Sequence, residues 1–228
     1  MGERVRGRRP NGVDDATVEA VGALTEALET AERARGRLFD FHQLSGSADA
    51  KADRAAGLLR EAGHTVHTPD LFGGRTFASI EEGAAFTRSD DAPDVDALAD
   101  AAAAELPADV VYLGFSFGVM PAQRLAQTRL GAAGAVLCES CVPVTGEWAF
   151  GPWPEGVPVQ VHGMDADPFF AGEGDIDAAR ELVSLVPDAE LFVYPGNVHL
   201  FADSSLPQYD EAAADLLTAR VLDLLGRV

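Results

Sequence analysis

Ser116 sits at the centre of Gly114–Phe115–Ser116–Phe117–Gly118, directly after the apolar run Val110–Val111–Tyr112–Leu113. A serine hydroxyl is a weak nucleophile until a base accepts its proton. A sharp strand-to-helix turn presents that hydroxyl to a base, and the N-terminus of the following helix favours a developing anion. The glycines are steric requirements: side chains two before and two after Ser116 are expected to collide with neighbouring strand and helix. The chemistry implied is attack on an acyl carbon.

Such a serine needs a histidine and an acid, which in a strand–turn–helix setting follow it in chain order. The strand-like Val159–His162 runs into Gly163–Met164–Asp165–Ala166–Asp167–Pro168, and Leu191–Tyr194 runs into Pro195–Gly196–Asn197–Val198–His199. His42 and His162 lie within or at the ends of strand-like runs, and His64 and His67 flank another, which leaves His199 in a late loop as the base. The acid is Asp165 or Asp167, either of which could accept a hydrogen bond from His199 Nδ1 and stabilise its cation. Pro168 stiffens the turn after Asp167 and favours that residue.

The elements that must position these groups alternate. Strands are expected at Leu38–His42, Thr65–Thr68, Val110–Phe115, Ala135–Cys138, Val159–His162 and Glu190–Tyr194. Helices are expected at Asp49–Glu61, Val95–Glu105, about Pro121–Thr128, Ile176–Val186 and Tyr209–Leu225. Continuous apolar runs such as Val110–Phe115 suit a sheet buried on both faces. This predicts a three-layer α/β sandwich with a mainly parallel sheet, its ligand site beyond the carboxyl ends of the strands. Residues 1–36 read as an extension whose helix shows Val18, Val21, Leu24 and Leu28 on one stripe; residues 37–228 form the main domain.

With these residues in place, the chain resembles the dienelactone hydrolase family of small α/β-hydrolases. The likeness runs from about residue 38 onward, through Phe41–His42–Gln43–Leu44–Ser45–Gly46, Gly63–His64–Thr65–Val66, Pro69–Asp70–Leu71–Phe72, the Gly114–Gly118 turn and Tyr194–Pro195–Gly196 to His199–Leu200–Phe201–Ala202. It implies an α/β-hydrolase sandwich, Ser116, Asp167 and His199 as catalytic residues, and the backbone N–H groups of Phe117 and Leu44 as oxyanion donors. The family places its acid five residues after a strand-end histidine, as His162 and Asp167 stand here. Its founding members carry cysteine where this chain has Ser116, and a thiol-activating glutamate where it has Gln43, which is expected to position a water or the loop. They also use arginine to hold a substrate carboxylate at the position of Asp203, where an acid would repel one. A neutral or cationic small ester, lactone or thioester is therefore the expected substrate.

Trp148 and Trp153, in the proline-stiffened run Glu147–Pro154, are expected near the mouth of the site, either walling the acyl pocket or covering the sheet edge. Cys138 and Cys141 lack a second pair of ligands at metal-binding spacing, so no metal is expected. No phosphate- or dinucleotide-binding glycine pattern is present, so no cofactor is implied. A non-catalytic ligand-binding or assembly protein on the same fold is the alternative reading.

Charge narrows the partners. Thirty-seven acidic residues face 17 basic ones, for a formal net charge of −20. Sixteen of those bases are arginine, Lys51 being the lysine. Such a surface offers no footprint for nucleic acid and disfavours docking on anionic membranes. With two cysteines and no apolar run long enough to span a bilayer, a cytoplasmic monomer or homodimer acting on a small acyl substrate is expected. The dense acid should self-repel at low ionic strength and be screened by salt. Thermal unfolding followed against added salt should show a rising Tm, and a flat response would count against salt adaptation.

Overall fold

The computed structural model describes residues 54–75, 77 and 79–228, together with the backbone of residues 37–41. The helix expected within residues 1–36, and the segment 42–53 with His42, Gln43 and Leu44, lie outside the described residues. The strands are β1 (Arg37–Phe41), β2 (Thr65–His67), β3 (Val110–Phe115), β4 (Gly134–Cys138), β5 (Val159–Met164) and β6 (Ala189–Tyr194). The helices are α1 (Arg54–Glu61), α2 (Ile80–Thr87), α3 (Val95–Ala104), α4 (Val119–Thr128), α5 (Asp175–Leu185) and α6 (Glu211–Leu225).

The six strands form one parallel sheet in the order β2-β1-β3-β4-β5-β6. The chain runs outward from β1 to β2, then returns to add β3 on the other side of β1. This reversal opens a crevice at the carboxyl ends of β1 and β3, where ligands bind in open α/β sheets. Ser116 follows β3 immediately.

Alternation along β3 divides the core. Val110 and Tyr112 pack with Ala99 and Ala103 of α3, Val119, Ala122, Leu125 and Ala126 of α4, and Ile176 and Leu182 of α5. Val111, Leu113 and Phe115 point the other way, into a cluster with Ala56 and Leu59 of α1 and Leu217, Val221 and Leu224 of α6. Helices thus cover both faces, giving the expected three layers. Each fully buried leucine, such as Leu113 or Leu137, contributes roughly 1.5–3 kcal/mol.

Several boundaries differ from expectation for local reasons. Helix α4 starts at Val119 rather than near Pro121, because a 3-10 turn over Ser116–Gly118 leads directly into it. Pro121 is tolerated in the first turn, where its missing N–H has no helical partner to lose. Helix α6 starts after Asp210, whose side chain accepts the Ala213 N–H at 3.0 Å. Helix α2 is an addition to the sequence reading. Its cap is visible in hindsight: Ser79 Oγ accepts the Glu82 N–H at 3.2 Å, in a Ser-x-x-Glu pattern.

The turn after β3 explains its glycine. A Cβ on Gly114 would lie 2.3 Å from the Gly118 carbonyl oxygen and 2.7 Å from Val119 N. The collision is therefore with the backbone of the turn and helix start, which cannot swing aside. Gly114→Ala should destabilise the fold by about 1–3 kcal/mol, read from urea unfolding midpoints; an unchanged midpoint would show that the turn relaxes freely.

Candidate active site

Three loops beyond the carboxyl ends of β3, β5 and β6 converge. Ser116 leaves β3 with φ 48°, a left-handed conformation that non-glycine residues adopt only under constraint. Its hydroxyl thereby stands at the start of the helix formed by the 3-10 turn and α4. Asp167, after β5, is fully buried, and its Oδ1 accepts the Phe169 N–H at 2.9 Å. Its Oδ2 lies 2.7 Å from His199 Nδ1. His199 Nε2 lies 2.7 Å from Ser116 Oγ. Two bonds of this geometry fix the tautomer: Nδ1–H donates to Asp167, leaving Nε2 to accept from the serine hydroxyl.

The loop bearing His199 is held at several points. Gly196 adopts φ 146°, and a Cβ there would meet Met164 Sδ at 2.6 Å. Its N–H donates to Asp165 Oδ1 at 3.0 Å. Asp165, the other candidate acid, therefore braces the His199 loop while Asp167 touches the imidazole. The Phe169 ring packs on that imidazole with centroids 4.7 Å apart. Beyond His199, Leu200 has φ 66° and the Phe201 N–H donates to Glu139 Oε1 at 2.9 Å.

Glu139 is a residue of this region that the sequence reading passed over. It follows β4, is 1% exposed, and has φ 65°. Burial pushes its carboxyl up to about 8, with the Asp167 charge adding to the rise and His199 opposing it. His199 is itself shifted upward. Burial alone would lower it, but the hydrogen bond to Asp167 and the charges of Glu139, Asp167 and Asp175 outweigh that effect. Asp175, opening α5, ties down the loop after β4: its Oδ2 accepts from Ser140 Oγ at 2.5 Å and from the Cys141 N–H at 3.2 Å.

The other expected residues are placed as follows. Phe117 lies in the turn after Ser116, its ring 6.0 Å from that of Phe72. Gln43 and Leu44 fall outside the described residues. Trp148 is 79% exposed, and Trp153 donates Nε1–H to the Val157 carbonyl at 2.7 Å while packing against the core. Neither lines the cavity of about 260 Å³ beside Phe117, whose walls include Phe72, Val95, Met120, Pro121 and Phe150. The aromatic of that segment that lines this cavity is Phe150. Asp203 Oδ1 accepts from the backbone N–H and hydroxyl of Ser205, at 2.9 and 2.6 Å, so local turn chemistry engages the carboxylate. Cys138 and Cys141 are buried, and burial, with Asp175 and Glu181, pushes the Cys141 thiol up, away from thiolate chemistry. Among the described residues, no group of three His, Cys, Asp or Glu side chains is placed to hold a metal, and no helix is long and apolar enough to cross a membrane.

The parallel sheet, its strand order and the serine turn after β3 define an α/β-hydrolase. The family model for the dienelactone hydrolase family matches residues 41–228, and the chain belongs to that family. A search of curated proteins finds no match. Solved structures with this fold include a candidate dienelactone hydrolase of Klebsiella pneumoniae, 18% identical, TM-score 0.63, covering 84% of this chain and 87% of that one. The dienelactone hydrolase-like promiscuous phosphotriesterase P91 from metagenomic libraries is also 18% identical, with TM-score 0.62 and coverage of 85% and 86%. The monoacylglycerol lipase of Paleococcus ferrophilus is 16% identical, with TM-score 0.59 and coverage of 85% and 95%.

His162 shows what a histidine outside the site does. Its Nδ1 lies 2.9 Å from the Tyr194 hydroxyl and its Nε2 3.2 Å from Gln160 Oε1. Burial, reinforced by Arg220, pushes it down to about 3 from 6.5. The folded chain refuses a proton that the unfolded chain accepts, so stability present above pH 6.5 is lost as pH falls toward 3. His162→Asn should flatten that part of the urea-midpoint profile; a variant that loses stability in parallel with the wild type across the window would refute the assignment.

Proposed function

We propose that this hydrolase is a serine esterase that cleaves small neutral or cationic acyl esters, lactones or thioesters through Ser116, His199 and Asp167. The observation that carries the reading is the continuous hydrogen-bonded row from Asp167 through His199 to a serine held at positive φ. In the proposed reaction, His199 Nε2 takes the Ser116 proton as Oγ bonds to the acyl carbon. Asp167 keeps the imidazole in its accepting tautomer and stabilises the imidazolium. The N–H groups of Phe117 and Leu44 stabilise the oxyanion. The imidazolium then protonates the departing alkoxide or thiolate, which breaks its bond to carbon and leaves an acyl-serine. A water molecule, deprotonated by His199, attacks that ester and releases the acid, and the proton returns to Ser116.

The cavity beside Phe117, walled mainly by apolar side chains with Thr87, Asp94 and Asp96 among them, supports a small neutral or cationic acyl or alcohol group. Around its rim, Asp94 caps α3 and Asp96 pairs with Arg124. Arg75 stacks over Phe86, 4.8 Å from the ring centroid.

A fluorophosphonate probe should label the wild type at Ser116 and leave Ser116→Ala unlabelled, folded and inactive on short-chain acyl esters. Asp167→Asn should reduce kcat by about 10³-fold or more. Full turnover by Ser116→Ala or His199→Ala would sink the mechanism, and a wild type that neither labels nor hydrolyses would point to a ligand-binding protein. Faster cleavage of dienelactone than of neutral esters would overturn the substrate class.

A further inference from the structure

Glu139 is spent on no step of that chemistry, yet it is buried against the groups that perform it. One oxygen, Oε1, accepts the Phe201 N–H and so anchors the loop two residues beyond His199. The backbone N–H of Glu139 donates to the His162 carbonyl at 2.6 Å, fixing the start of its loop against β5. Its other oxygen, Oε2, is buried and has no hydrogen-bond partner. An ionised carboxylate with one bare oxygen in such surroundings is strongly disfavoured unless a cation is near.

The anchoring task does not call for an acid, since an amide oxygen would accept the same N–H. Three ionisable groups bear on the carboxyl or on the base beside it: Asp167 from the loop after β5, His199 from the loop after β6, and Asp175 from the start of α5, which acts on His199. Of these, His199 is the one that becomes a cation. We propose that Glu139 is a positioning residue for His199: it pins the loop that carries the base, and as a second buried acid beside Asp167 it couples its own ionisation to that of the imidazole. The reaction role rests on His199 acting as the base; the coupling does not.

The coupling has a definite sign. An imidazolium at His199 favours the ionised form of Glu139, and an ionised Glu139 favours the imidazolium. Two groups so linked titrate as a pair, in two macroscopic steps shared between them.

The test follows the His199 ring resonances by NMR against pH in the wild type and in Glu139→Gln, which retains an oxygen for the Phe201 N–H. The wild type should show two steps. Glu139→Gln should show one, below the upper wild-type step, with fluorophosphonate labelling at neutral pH retained. A single step at the same pH in both proteins would overturn the proposal and leave Glu139 a structural anchor. If the variant does not fold, the wild type still decides: the infrared band of a protonated carboxyl should vanish in step with the second His199 shift, and no second shift means no coupling. Absent labelling of a wild type whose His199 still titrates in two steps would remove the esterase reading and leave the coupling standing.

Discussion

The turn from β3 into α4 is the constraint on which the rest of the site depends. Ser116 is held at φ 48°, and the carbonyl of Gly118 comes so near Gly114 that no side chain fits there. A non-glycine residue in such a conformation costs about 1–3 kcal/mol. It persists because what flanks it is rigid: every residue of β3 is buried, and α4 presses Val119, Ala122, Leu125 and Ala126 into the core. Burial of one side chain such as Leu125, at roughly 1.5–3 kcal/mol, offsets the strain. The strain is local and the packing is distributed, so the turn is set by the sheet and helix rather than by its own bonds.

The loops that meet Ser116 are fixed differently. They are joined by carboxylates that accept backbone N–H groups: Asp167 from Phe169, Asp165 from Gly196, Asp175 from Cys141, and Glu139 from Phe201. Three of these four bonds join distant parts of the chain, so the ends of β4, β5 and β6 are tied to one another and to α5. A chain with 37 acids and 17 bases cannot give each acid a cation. Backbone N–H groups are the donors that remain plentiful.

Much of this arrangement was legible in the sequence, because much of it is local. The apolar run before Gly114 and the helix after Gly118 define the turn within about 20 residues. The positions of Asp167 and His199 follow from strand-end loops, and the alternation of elements gives the layers. What was not legible is non-local. Glu139 sits 62 residues from the Phe201 N–H it anchors, and in sequence it is an ordinary acid between Cys138 and Ser140. Phe72 and Phe150 are far apart in sequence yet line one cavity. Asp203 has a local partner: Ser205, two residues on, donates its hydroxyl to the carboxylate. Helix α2 carries a readable cap, Ser79 with Glu82 three residues on.

Net charge takes on a further meaning at the site. The formal value of −20 treats every acid as ionised. Burial pushes the Glu139 carboxyl up to about 8, so this acid holds a proton more readily than a surface carboxylate does. Surface carboxylates are hydrated and screened within about 10 Å at 0.1 M ionic strength. Buried carboxyls are not, and Asp167 and Glu139 both bear on His199. The formal charge therefore describes the hydrated surface, while two interior acids bear on His199. Were both interior acids ionised beside a neutral imidazole, two negative charges would lie buried without a cation. The protonated form of Glu139 removes that excess, leaving Asp167 to orient His199 in the tautomer that accepts from Ser116.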